Sequence, residues 1–315
     1  MEGPELELFE RSLRRATGAH GGAELDRVLR ELGWRDALLD DTALAVSLLF
    51  ECQGAANTTS SALDDVLVAI LGAEAPECAA VLPGLDLWDP PGSLDGGHLS
   101  VTGLCTSRMQ SAANALVVVP DGRPALVSAS ELVVAPLEGI DPRFGLWKVH
   151  GNIDRPTWSP SAKGNWPLAA ATAQLALGHE LVGAAGAMLE LACAHARERV
   201  QFGRPIAAFQ AVRHRLAETL VAVEAARAVL HAAWLDPVPA TASIAKAVAG
   251  RAARTAATHS QQVLAGMGFT TEHPLHRYVR RVLVLDQLFG STRTLTRVVG
   301  AEVIASRTLP VPIAL

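Results

Sequence analysis

The sequence predicts a mainly α-helical protein with a small β domain, an α+β chain in three parts. Three observations carry this. Apolar residues recur at helical spacing near both ends. Short β-rich runs broken by Pro and Gly occupy the middle. Half of the 315 residues are apolar but only 4% are aromatic, so the core is built from Ala, Leu and Val. Ala and Leu are strong helix formers, and such a core favours closely packed helices.

The first part spans residues 1–84. Leu6, Phe9 and Leu13 share one helical face, as do Leu25, Val28, Leu29 and Leu32. A Leu-Gly-Trp turn places Trp34 after Gly33, and Leu44–Phe50 and Leu63–Leu71 continue the pattern. The second part spans 85–158. Pro90, Pro91, Gly92, Gly96 and Gly97 open it, and apolar runs follow at Leu99–Cys105, Ala115–Val119, Ala125–Ser128 and Leu132–Leu137. A turn at Pro120-Asp121-Gly122-Arg123 separates the second run from the third, and the set reads as an antiparallel sheet. The third part spans 159–315 and reads as a four-helix bundle. Its helices are expected over Pro167–Arg199, from Phe209 to the Asp236-Pro237-Val238-Pro239 break, over Thr241–Ala265, and from near Pro274 to Arg307.

A formal net charge of -5 argues against nucleic acid as the main partner, which would need a basic face. Cys52, Cys78, Cys105 and Cys193 are widely spaced without a CxxC, which points to reduced thiols in a cytoplasmic protein rather than to disulfides or metal. The acidic N-terminus offers no signal peptide. Gln174, His179 and Glu180 interrupt the apolar stretch Leu168–Ala194, so no membrane span is expected.

Two stretches of the bundle carry the functional reading. The first is Arg199-Val200-Gln201-Phe202-Gly203-Arg204-Pro205-Ile206, continuing to Phe209-Gln210. The second is Gln262-Val263-Leu264-Ala265-Gly266-Met267-Gly268-Phe269. Alone, the first is a turn between helices and the glycines of the second end a helix. Together they resemble the acyl-CoA dehydrogenase family, over 160 to about 300, and the three-part order matches that family's architecture. In that family FAD lies across a subunit interface. The resemblance therefore implies that Arg199, Gln201 and Phe202 reach the flavin nucleotide of a neighbouring subunit. By the same resemblance Phe209 and Gln210 line that cofactor, Gln262, Gly266 and Gly268 form the pyrophosphate stretch, and Thr292 is a further cofactor contact.

The departures matter as much. Removal of an α-proton needs a base. The family places a glutamate in a turn before the last helix, where this chain reads Gln287-Leu288-Phe289-Gly290-Ser291-Thr292 and Gly290 stands at the carboxylate's position. The alternative family position, on the first bundle helix, is Ala173 here. Neither residue can accept a proton, so no catalytic residue is assigned. Glu180 lies two turns beyond Ala173, roughly 10 Å along the helix, and reads as a packing carboxylate paired with an arginine. Asp286 reads as an ion pair with Arg280, Arg281 or Arg293. The family's Thr-Glu-Pro…Gly-Ser-Asp loop, which holds the isoalloxazine, is missing, and Leu87-Trp88-Asp89-Pro90-Pro91 sits about where it should fall.

These losses resemble the shorter subunit of bacterial heterotetrameric acyl-CoA dehydrogenases of the steroid side-chain type. That implies α,β-dehydrogenation of an acyl-CoA, FAD as cofactor, and a longer partner subunit that supplies the glutamate, two copies of each. A flavin-free scaffold subunit and a homo-oligomeric flavoenzyme using Glu180 are the alternative readings. His276, Arg277, Arg280 and Arg281 remain as a basic cluster for CoA or flavin phosphates or for salt bridges, and His214 with Arg213 and Arg215 as a solvated face.

Overall fold

A computed structural model describes residues 3–72, 77–154, 156–158 and 164–308. Five helices come first: α1 (Pro4–Ala19), α2 (Ala23–Glu31), α3 (Trp34–Asp40), α4 (Thr42–Ala56) and α5 (Ala62–Leu71). The expected apolar faces turn inward, with Leu13, Leu25, Leu29 and Trp34 buried. Gly33, at φ 72°, makes the tight turn that sets Trp34 into the core. Asp41 caps α4 by accepting from Leu44 N–H at 2.9 Å.

Eight strands follow: β1 (Ala79–Ala80), β2 (Gly92–Asp95), β3 (His98–Cys105), β4 (Asn114–Val118), β5 (Pro124–Ser128), β6 (Val133–Pro136), β7 (Trp147–Ile153) and β8 (Thr157–Trp158). They form two four-stranded sheets, β1-β4-β5-β8 and β2-β3-β7-β6, not the single antiparallel sheet expected, and β1 pairs with β4 in parallel. The expectation overlooked β7 because polar Lys148, His150 and Asn152 alternate with Val149 and Ile153, and only the latter face inward. The β4 run is apolar throughout because both its faces are covered. Ala115 and Val117 join the core between the sheets, while Leu116 and Val118 join the core of the helices.

The remaining helices are α6 (Trp166–Glu198), α7 (Gln210–Leu235), α8 (Pro239–Leu264), α9 (Leu275–Gln287) and α10 (Thr292–Ser306). A hairpin of β9 (Val200–Gln201) and β10 (Arg204–Pro205) joins α6 to α7. The mainly α architecture with a small sheet region is as expected, and the bundle carries a further correction. The expected fourth bundle helix is two helices, broken at 288–291. Phe289 and Gly290 take φ of 52° and 93°, and Ser291 then caps α10 by accepting from Thr294 N–H at 3.2 Å. Apolar periodicity runs through the break, and only the resemblance placed a turn there.

α6 is the central element and packs on α4, α7 and α8. It crosses α4 so closely that a Cβ on Gly183 would lie 2.1 Å from the Glu51 carbonyl oxygen, and one on Gly54 would lie 2.0 Å from that of Glu180. By length and apolar composition α6 could cross a membrane, but most of it is buried in the protein as a core helix. Hydrogen bonds fix the helix directions. Ser243 meets Gln174 and Ser260 meets Met188, so α6 and α8 run parallel. Trp234 meets His179 and Thr219 meets His259, so α7 runs against both. The end of α6, the start of α7 and the end of α8 therefore share one end of the bundle.

Candidate functional site

That shared end collects both motif stretches. The β9–β10 hairpin turns on Phe202 and Gly203, at φ 54° and 78°. The turn holds Phe202 out of the protein, 91% exposed. Its ring meets Phe209 edge-on with centroids 6.1 Å apart, and the Arg204 guanidinium lies 4.4 Å over the Phe209 ring. Arg199, Gln201 and Gln210 are exposed beside them, and the strand pair is closed by Ile206 N–H donating to the Arg199 carbonyl at 2.8 Å. At the end of α8, Gln262 and Gly266 are exposed in front of the 3-10 turn Ala265–Phe269, and Phe269 is 74% exposed.

The two glycines of the second stretch differ. A Cβ on Gly266 would point into open space, so its backbone is approachable, as a phosphate contact requires. A Cβ on Gly268 would come within 2.9 Å of the Gln261 carbonyl oxygen, so Gly268 is needed to close the turn. Among the described residues nothing of this chain covers Phe202. An exposed aromatic beside cations and open backbone fits one side of a dinucleotide site whose other side lies elsewhere. Thr292 does not join this group. Its hydroxyl donates to Asp286 and packs against Gly250, fourteen residues before Leu264 on α8, which is roughly 20 Å away.

The two positions where the resemblance implies a base lie on segments joined by a hydrogen bond. Gln174, next to Ala173, donates from its amide to the Phe289 carbonyl at 3.0 Å, next to Gly290. Ala173 is fully buried, and the space at Gly290 is filled. A Cβ there would meet Leu295 Cδ2 at 2.8 Å and Trp88 Cε3 at 2.9 Å. The segment 87–91, expected about where a flavin loop would fall, is anchored in this place. Trp166 Nε1 donates to the Trp88 carbonyl at 2.9 Å, Trp166 stacks on Phe289, and Gln287 accepts from Asp86 N–H at 2.7 Å.

Asp86, Asp286 and Glu180 are each committed. Asp86 accepts from Ser291 N–H and the Thr294 hydroxyl; burial pushes its carboxyl up, but these bonds win and hold it below the usual range. Asp286 pairs with Arg254 rather than with Arg280, Arg281 or Arg293, because α9 turns it toward α8. Lys246, fully buried, donates to the carbonyls of Asp286 and Gly290 at 3.1 and 2.6 Å and so staples the turn. Burial pulls its ammonium down to about 8 against the pull of Asp286 and Asp86. Glu180 pairs with Arg281, as its buried position required, and burial pushes its carboxyl up. Asp86 and Lys246 carried no signal in the sequence, since a single charge on an Ala-rich helix or in a Pro-rich turn reads as surface.

The model of the acyl-CoA dehydrogenase C-terminal domain matches residues 171–304. The acyl-CoA dehydrogenase IpdE2 of Mycobacterium tuberculosis is 31% identical over 304 residues, covering 94% of this chain and 87% of that protein. The chain belongs to the acyl-CoA dehydrogenase family. Among solved structures, a variant of the Tcur3481-Tcur3483 steroid ACAD aligns with a TM-score of 0.79 at 21% identity, over 96% of this chain and 98% of that one. The ChsE4-ChsE5 complex from Mycobacterium tuberculosis aligns with a TM-score of 0.75 at 21% identity, over 98% and 99%. Both show the same fold.

Proposed function

We propose that this chain is the base-lacking subunit of a hetero-oligomeric acyl-CoA dehydrogenase that introduces an α,β double bond into an acyl-CoA thioester, working in the cytoplasm. Its residues Arg199, Gln201, Phe202, Phe209, Gln210, Gln262, Gly266 and Gly268 complete the FAD site of a longer partner subunit, and the partner supplies the glutamate. FAD, when bound, accepts the hydride from the β-carbon. This chain positions the cofactor through the exposed hairpin and the open backbone at Gly266. The guanidinium of Arg199 offers forked N–H donors to an anionic oxygen, and the Phe202 ring offers a flat apolar face that keeps water off the cofactor edge.

The observation that carries this reading is the contrast between the two places. The end of the bundle that would serve a neighbour stands open, while the place for the chain's own base is packed with Trp88 and Leu295. The names of its structural neighbours, one a steroid ACAD and one a complex of two differently named chains, support a hetero-oligomer and a bulky acyl group. The test is co-expression of the chain with a base-bearing acyl-CoA dehydrogenase subunit, with Phe202→Ala and Arg199→Gln as variants. Flavin absorbance in the purified complex is expected to fall in both variants while the chain's own thermal unfolding is unchanged. Full flavin content in both would remove the role assigned to the hairpin.

A further inference from the structure

A cleft of about 1300 Å³ lies between the start of α2, the α4–α5 loop, the turn after β3, the turn around residue 143, and the first half of α9. None of the residues assigned to the flavin lines it. Six arginines do: Arg30, Arg108, Arg143, Arg277, Arg280 and Arg281. Three are occupied. Arg108 holds Asp65 at 2.6 Å, Arg281 holds Glu180, and Arg30 lies 3.9 Å from Glu77. Among the described residues Arg143, Arg277 and Arg280 make no side-chain hydrogen bond or ion pair, and all three are exposed. Of the three acids on the walls, Asp26 accepts from Ser61 N–H at 2.6 Å and Glu77 from Arg35 at 2.8 Å, leaving Asp141. The free charge is therefore cationic.

We propose that this cleft binds the phosphate end of the acyl-CoA thioester through Arg143, Arg277 and Arg280, an assignment that rests on the function proposed above. Guanidinium forks match phosphate oxygens two at a time. Between them stand polar side chains, Asn57, Thr58, Ser107, Gln110, Ser111 and Tyr278, which can meet the oxygens of a nucleotide. A second cavity shares Thr59, Ser107, Gly145 and Arg281 with the cleft and runs in to Leu288, two residues from Gly290, but its volume is about 40 Å³. That is too small for a bulky acyl group, so this chain holds the thioester by its handle alone. CoA and FAD share an adenosine diphosphate. CoA adds a 3′-phosphate, and three free guanidinium groups favour the more highly charged ligand.

The test is calorimetric titration of the purified full chain with CoA, dephospho-CoA and FAD. CoA is expected to bind, dephospho-CoA to bind about tenfold more weakly, and FAD more weakly still. Arg143→Gln, Arg277→Gln and Arg280→Gln are each expected to weaken CoA by about tenfold, the effect of one charge-assisted contact, without moving the unfolding temperature. In the complex with a partner subunit they are expected to raise KM and spare kcat. No CoA binding, CoA binding unchanged in the triple variant, or FAD binding tighter than CoA with the same arginine dependence would each overturn the assignment. Phe202→Ala separates the two readings. It is expected to lose flavin from the complex yet keep CoA on the chain, so a failure of the cleft leaves the flavin role standing, and the reverse holds.

Discussion

Gly290→Glu places a carboxylate at the position where the family carries its base, and the structure predicts that it gains nothing and costs stability. Gly290 has φ 93°, a region that L-residues avoid at about 1–2 kcal/mol. The new Cβ would stand 2.8 Å from Leu295 Cδ2 and 2.9 Å from Trp88 Cε3. Leu295 is buried and Trp88 is tethered through its carbonyl to Trp166, so neither yields freely. Overpacking of this kind costs a further ~1–3 kcal/mol. The total of about 2–5 kcal/mol corresponds to roughly a 5–10 °C fall in the unfolding temperature for a chain of this size. Gly290→Ala meets the same strain and the same first contact, so it is expected to fall nearly as far. The assay is thermal unfolding of both variants beside acyl-CoA dehydrogenase activity of the chain alone. A Gly290→Glu protein that unfolds within 1–2 °C of the parent and oxidises acyl-CoA without a partner would refute the argument, because it would mean the space is open and a flavin already sits beside it.

Other expectations come from the same contacts. Arg281→Met leaves Glu180 buried without its cation and is expected to cost about 3–5 kcal/mol in denaturant unfolding, most of it recovered in the Glu180→Leu, Arg281→Met double variant; a loss under 1 kcal/mol would contradict the pair. His179 is buried and accepts from Trp234 Nε1 at 3.0 Å, and burial, with Arg227 and His231 nearby, holds its pKa down to about 4. The unfolded chain takes up that proton near pH 6.5, so its contribution is present above that pH and is lost as pH falls toward 4. The loss is roughly 3 kcal/mol, and His179→Gln is expected to flatten that part of the stability profile. Gly183→Val drives a side chain into the Glu51 carbonyl and is expected to lower the unfolding temperature by more than 5 °C, whereas an unchanged value would mean that α4 and α6 are not so closely apposed.

Much of the fold was legible because long helices repeat their signal. The limits of α6, α7 and α8 lie close to those expected, and Asp236–Pro239 ends α7 as proline requires. The sheets were legible only in part. β7 hides among polar residues, and nothing local marks β1 as a parallel partner of β4. The helix break at Phe289-Gly290-Ser291 was written in a glycine followed by a capping serine, and while the apolar spacing on both sides runs through it, the family resemblance placed a turn there. At the candidate site, Phe202 and Gly266 were named by motif, and their exposure follows from the φ of the hairpin and the open backbone. Thr292 was drawn by position alone and is held inside by Asp286. The filled space at Gly290 and the grouping of Arg143 with Arg277 and Arg280 depend on residues more than a hundred positions apart, which no local pattern reports.

The most direct test of the central claim is native mass and flavin content measured on the same preparation, first of the chain alone and then after co-purification with a base-bearing acyl-CoA dehydrogenase subunit. The account predicts little or no flavin on the chain alone and, with the partner, a mixed assembly holding about one flavin for each pair of unlike subunits. A stable assembly of this chain alone carrying one flavin per chain would contradict it.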